Sequence, residues 1–249
     1  HPAFAQKEGC EPPPRNIHQK DTIMWLDTFM PRQCKLCGCR LAEDEQTLCL
    51  ACSRKLPLTD DYLSPYDNNT ARLLWGRMPV ERATALTYYY PESFCALLMY
   101  KLKYGSQPDI GEWLGAYMAN SFMPYALFDD IDIIVPLPIH KRRERERGYN
   151  QSHEIARGIG DISNIKVCNN IIERSRYTMS QTKLAHADRA KNVENAFTLL
   201  RPDAIEGKHV LLVDDIITTG ATIAACANVL AEAEDVKISV ITVGRTHNL

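Results

Sequence analysis

Residues 210–222 read VLLVDDIITTGAT. Val210, Leu211, Leu212 and Val213 predict a buried strand. Two adjacent carboxylates repel each other, so Asp214 and Asp215 are unfavourable at the end of such a strand unless a ligand requires them. Open α/β sheets place their ligands at the carboxyl ends of their strands. The following Thr218, Thr219, Gly220, Ala221 and Thr222 predict a loop that turns directly into a helix. Exposed amides at a helix N-terminus favour an anion, threonine hydroxyls add donors, and glycine lets the backbone approach closely. The loop therefore suits a phosphate monoester, and the acids suit hydroxyl donors nearby. A phosphorylated ribose meets both demands, with its 5'-phosphate in the loop and its 2'- and 3'-hydroxyls on Asp214 and Asp215. The alternative is a capped helix after a strand, with both acids merely solvated.

Working outward, 209–213 and 236–243 are β-rich, with an alanine-rich helix over 221–233 between them. A β run over 81–90 precedes a helix that Ser93 caps, extending to Tyr104 with Leu97, Leu98 and Leu102 on its apolar face. Further helices are expected over 109–122 and 151–159. Residues 132–138 predict a strand ending in prolines, and 165–172 a short one. Apolar strands separated by helices imply an α/β fold with a largely parallel, doubly covered sheet.

Five of the nine cysteines fall between positions 34 and 52. Cys34 with Cys37, and Cys49 with Cys52, form two CxxC pairs eleven residues apart. Two such knuckles facing each other make a tetrahedral sulfur site suited to structural Zn2+. Cys39 reads as a bystander thiol. An odd count clustered in this way fits a metal site in a reducing compartment better than a secreted disulfide framework, and the expected location is cytoplasmic.

The expected organisation is a leader or upstream extension over 1–23, a zinc module over 24–56, a polar linker over 57–80 and the main domain over 81–249. The leader contains three consecutive prolines and shows no periodicity, and Met24 is the expected start. A net charge of −2 and a pI of 6.4 exclude a global basic field. No apolar run approaches the length of a membrane span.

The string 210–222 resembles the phosphoribosyl pyrophosphate (PRPP) motif of type I phosphoribosyltransferases. Residues 135–151 (VPLPIHKRRERERGYNQ) resemble the hallmark segment of the ComF family, as does the later pattern of Arg174, Arg176, Thr178, Gln181, Arg189, Asn192 and Phe197. The order of cysteine knuckles, Lys103-Tyr104-Gly105, basic loop, polar loop and PRPP motif is also that family's order, and the resemblance spans 25–245. It implies a type I phosphoribosyltransferase fold, similar to the transferase half of amidophosphoribosyltransferase, with a small four-cysteine zinc module. It further implies PRPP or a phosphoribosyl nucleotide as ligand and Mg2+ bound with it. The reaction implied is release of pyrophosphate as a nitrogen nucleophile attacks ribose C1. Members of the family are associated with competence, so DNA-uptake proteins and single-stranded DNA are expected partners.

The same resemblance places a pyrophosphate loop at Leu137, Pro138, Ile139, His140 and Lys141. It places a hood over 174–192, in which Arg174, Arg176 and Arg189 neutralise charge and Gln181 orients a ligand; the alternative there is a solvent-facing helix over 184–195. Arg174 and Arg176 join Asp214 and Asp215 as candidate catalytic residues. The run Lys141, Arg142, Arg143, Arg145 and Arg147 against Glu144 and Glu146 is a phosphate clamp, a DNA-backbone track or a solvated helix face. Lys103 is either a phosphate contact or a plain helix-end lysine. The other function class is a non-catalytic nucleotide- or DNA-binding accessory protein that keeps the fold.

Overall fold

The computed structural model describes residues 10–11, 31–125, 127–175 and 196–246. In chain order the elements are β1 (Cys10–Glu11), α1 (Leu50–Ser53), α2 (Asn69–Leu74), β2 (Ala83–Tyr89), α3 (Phe94–Tyr104), α4 (Asp109–Phe122) and β3 (Ile133–Pro136). There follow α5 (Lys141–Arg147), α6 (Gln151–Ser163), β4 (Lys166–Cys168), β5 (Ile172–Arg174), β6 (Phe197–Leu199), β7 (His209–Ile217), α7 (Ala221–Leu230) and β8 (Lys237–Thr246). One sheet has the order β1-β4-β3-β7-β8-β2, and β5 with β6 forms a separate ribbon. Five strands of the large sheet are mutually parallel, and β1 pairs antiparallel with β4. The chain is therefore the α/β protein that the alternation of apolar strands and helices requires. Two of the residues read as leader, Cys10 and Glu11, extend its edge.

β7 is buried on both faces, as a central parallel strand must be. One face packs against α3, α4 and α6, through Leu98, Leu114 and Ile155 among others. The other packs against α2 and α7, through Leu74, Ile223 and Leu230. Leu97 departs from the expected apolar face of α3 and is exposed, while Leu98 and Leu102 are buried. Helices α4 and α6 cross in direct backbone contact: a Cβ on Gly115 would lie 2.0 Å from the Ile155 carbonyl, and one on Gly158 2.0 Å from that of Glu112. Only glycine permits that approach.

Residues 57–80 are not a free linker. Asn68 caps α2 through the Ala71 amide, and Thr70, Ala71 and Leu74 are buried. Asp61 is buried and pairs with the equally buried Arg245 at 3.1 Å. Removing either partner would strand a charge in the core, so the segment is locked to β8. The cysteine knuckles likewise pack into the core that α3 and α4 share, and Lys35 pairs with Asp109 of α4 at 3.1 Å.

Candidate functional site

Strand β3 stops at Pro136, opposite Val213, while β7 continues along β8 to Ile217. Prolines at 136 and 138 end the ladder on one side only. The acids therefore lie within β7 rather than at its end, in the crevice left where β3 has stopped. β3 connects onward to β4 on one side and β7 to β8 on the other, so this crevice is the point where the strand order reverses.

Both acids are buried there. Asp214 Oδ1 accepts from Ser152 Oγ at 3.1 Å and from the Asp215 amide at 2.8 Å. Asp215 Oδ2 accepts from Gln151 Nε2 at 3.1 Å and from Lys103 Nζ at 2.7 Å, and its Oδ1 accepts from the Ile216 amide at 2.6 Å. Burial, and then the Asp215 charge, push the Asp214 carboxyl up to about 7. Gln151 also accepts from Arg147 through its Oε1. Gln151 and Ser152 are the two site residues that sequence reasoning missed. Gln151 closes the 135–151 segment, which was the available signal, whereas nothing local distinguishes Ser152 from an ordinary residue of a first helical turn. Asn150 caps that turn through the Ser152 amide and donates to the Leu137 carbonyl at 3.0 Å, so one side chain ties the loop after β3 to α6.

The loop after the acids is as expected in shape. Thr218 is exposed, Thr219 is half-buried and Gly220 is buried. Gly220 has φ +75° and precedes α7, and a Cβ there would meet Leu74 Cδ2 at 3.0 Å. The Thr219 hydroxyl accepts from the Ala221 amide at 3.4 Å, and Arg77 donates to the Thr219 carbonyl.

The remaining predicted residues sort by position. His140 and Lys141 follow Leu137, Pro138 and Ile139 into α5, where His140 accepts from the Arg142 amide at 3.1 Å. Lys141 pairs with Glu173 of β5 at 2.9 Å, and Arg142 with Glu146 at 2.8 Å. The run of basic residues is thus a mostly exposed helix. A cavity of about 330 Å3 opens between it and β5, lined by Pro138, Ile139, Lys141, Asn169, Glu173 and Arg174, among others. Arg174 lies over the Phe197 ring, and burial, with Arg143 nearby, lowers its pKa, while Asp214 acts in the opposite direction. Arg176, Gln181 and Arg189 lie outside the described residues.

A second polar chain links Ser239 Oγ to His209 Nε2 at 2.8 Å and His209 Nδ1 to Asp130 Oδ2 at 3.1 Å. Ser239 is fully buried, so no substrate reaches it. The chain joins the starts of β7 and β8 at the opposite end of the sheet.

The cysteine module brings together more thiols than the two CxxC pairs alone predict. The sulfurs of Cys34, Cys37, Cys39 and Cys49 all lie within 4.8 Å of one another. Cys39 is therefore a member of the cluster, with its Sγ 3.3 Å from that of Cys37. Cys52 is buried and within interaction range of Cys34, Cys37 and Cys49. The Cys39 amide and thiol pull Cys37 down to about 6, so a thiolate is ready at neutral pH. An all-sulfur group of this kind fits a metal such as Zn2+.

No family model matches the chain. Over 200 residues it is 30% identical to the DNA utilization protein YhgH of Escherichia coli O157:H7, covering 79% of this chain and 83% of that protein. The chain belongs to the YhgH and competence protein F (ComF) family. Within the ComF family it is also 37% identical over 93 residues to competence protein F of Haemophilus influenzae, covering 37% of this chain and 41% of that one. Among solved structures it is similar to the allosteric regulatory enzyme of purine biosynthesis. That similarity has a TM-score of 0.38 and 21% identity, over 57% of this chain and 29% of that one. Among the described residues of this ComF protein, no helix is long and apolar enough to cross a membrane.

Proposed function

We propose that the chain is a phosphoribosyltransferase-like protein that binds PRPP with Mg2+ and transfers or recognises the 5-phosphoribosyl group as pyrophosphate leaves. The observation that carries this reading is the acid pair in the β3–β7 crevice, followed directly by the Thr218–Thr222 loop at the start of α7. The 5'-phosphate sits on the loop amides and the Thr219 hydroxyl. The ribose diol donates to Asp214 and Asp215. Leu137 to Lys141 face the pyrophosphate, and Arg174 balances its charge. The protein's contribution is orientation and fixed charge at a site where cationic character develops on ribose C1. Because Lys103, Gln151 and Ser152 already contact the acids, Mg2+ would be held chiefly by ligand oxygens and water, and it would supply charge neutralisation of the pyrophosphate. Zn2+ on the cysteine module is structural, and the protein works in the cytoplasm.

The test is pyrophosphate release from Mg-PRPP against a panel of nucleobases, glutamine and ammonia, beside calorimetric titration of PRPP and ribose 5-phosphate. Binding with turnover makes it a transferase, and binding without turnover makes it a sensor. The absence of both rejects the reading.

A second reading, a single-stranded DNA-binding accessory role, is favoured by one observation. Tyr100 and Tyr104 are 63% and 71% exposed on α3, with ring centroids 5.3 Å apart. This is the kind of stacking surface that the arginine run itself lacks. Replacing both tyrosines by alanine should weaken oligonucleotide binding and spare ribose 5-phosphate.

A further inference from the structure

Lys103 stands on the last turn of α3, where the helix C-terminus favours a cation. The Leu102 carbonyl beside it accepts from Tyr149, which ties that turn to the junction of α5 and α6. From there Nζ reaches 2.7 Å from Asp215 Oδ2, with the Lys103 side chain 27% exposed and that of Asp215 8%. We infer that Lys103 is the counter-ion of Asp215, a positioning residue for the diol site rather than a phosphate contact.

A buried carboxylate beside a second one is stabilised by a cation in contact with it. Other charged or titratable groups also act here: Arg147 on Lys103, Arg174 on Asp214, and the buried thiols of Cys95 and Cys226. Lys103 is in direct contact with a carboxylate oxygen. Burial works against its charge, yet the contact with Asp215 and the charges of Asp215 and Asp214 together hold the ammonium above its ordinary lysine value. Gln151 shares the same oxygen, so Asp215 is gripped from α3 and α6 at once. Among the described residues, its Oδ1 accepts one hydrogen bond, from the Ile216 amide. A carboxylate oxygen has capacity for a second donor, which leaves room for a ligand hydroxyl while Lys103 stays in place.

The first arm of the test needs no ligand. Lys103→Met in the full chain should lower the melting temperature by about 4 °C or more, because it removes the cation in contact with Asp215. Asp215→Asn alone should also lower it, and the double substitution should cost less than the sum of the two. Additive losses, or no loss in Lys103→Met, would overturn the assignment. If Lys103→Met alone does not fold, recovery of a folded chain on adding Asp215→Asn supports it, and failure to recover rejects it.

The second arm rests on the diol reading proposed above. In Lys103→Met, ribose 5-phosphate affinity should fall about tenfold or more and inorganic phosphate affinity less than about threefold, with Lys103→Arg restoring most of the loss. Equal loss for both ligands makes Lys103 a phosphate contact and rejects the inference. If the unaltered chain binds neither ribose 5-phosphate nor PRPP, the phosphoribosyl reading fails by itself, and the thermal cycle alone decides the role of Lys103.

Discussion

Gln151 Nε2 donates to Asp215 Oδ2 across 3.1 Å, joining the first turn of α6 to the middle of β7. The same amide accepts from Arg147, so its orientation is set: nitrogen toward the acid, oxygen toward the guanidinium. Gln151→Glu would put a third carboxylate against Asp215, whereas Gln151→Leu would only remove a donor. Ribose 5-phosphate binding should fall about three- to tenfold in the leucine variant and further in the glutamate variant. Calorimetric titration ranks the two, and an equal loss would mean that the amide does not orient Asp215.

The acids and the loop should separate by ligand. Asp215→Asn should weaken ribose 5-phosphate by roughly one to two orders of magnitude and spare inorganic phosphate, which has no diol. Thr219→Val should weaken both. Normal PRPP binding by Asp215→Asn would remove the diol site from the account.

Five thiols converge where a tetrahedral ion needs four. Cys34→Ser, Cys37→Ser and Cys49→Ser should each lose Zn2+. Cys39→Ser and Cys52→Ser should each keep about one ion per chain, since the other thiol completes the set, and the double variant should lose it. Atomic emission on purified protein reads this out. Loss on Cys52→Ser with full retention on Cys39→Ser would return Cys39 to the role of bystander.

Asp214 provides a prediction about pH. Its folded-state value is raised from 3.8 to about 7, so the folded chain holds this proton more tightly than the unfolded chain does. Its contribution to stability is therefore fully present below the unfolded value and is lost as pH rises toward the folded one. Asp214→Asn keeps the shape without the titration. The variant should gain stability relative to the unaltered chain from about pH 4 to about pH 7, with no further change above. Urea denaturation across that window measures the gap, and a constant gap would show that Asp214 is ionised throughout.

Gly220 combines φ +75° with a close approach to Leu74. Gly220→Ala should cost about 1–2 kcal/mol from the backbone alone, measured by denaturant titration. It should also displace the loop and weaken inorganic phosphate binding.

Most elements were legible from local patterns. Ser93 caps α3 and 109–122 is a helix as read, because capping and 3.6-residue periodicity are properties of neighbouring residues. Strand ends were less legible. The sequence suggests that β7 stops at Val213, yet it runs to Ile217 because Ile216 and Ile217 pair with Gly244 and Arg245 of β8. Likewise 57–80 reads as a polar linker because Asp61 is an acid, and only its partner Arg245 makes it a core residue.

Local sequence was enough for the strand–acid–acid–loop–helix unit, the alternation that makes a parallel sheet, and the cysteine-rich knuckles. Each is a short-range pattern whose chemistry is carried by adjacent side chains. Only the tertiary structure decided what surrounds Asp214 and Asp215. Lys103 reaches Asp215 from the end of α3, and Gln151 and Ser152 reach the acids from α6, which Gly115 and Gly158 let touch α4, in the crevice left because the prolines after Val135 end β3 early. It also brought Cys39 into the thiol cluster, since the turn that folds Cys39 back onto Cys34 is closed by backbone bonds from the Cys34 amide to the Cys39 carbonyl and from the Gly38 amide to the Cys34 carbonyl. Contacts between residues distant in the chain depend on where whole elements pack, and no local pattern encodes that distance.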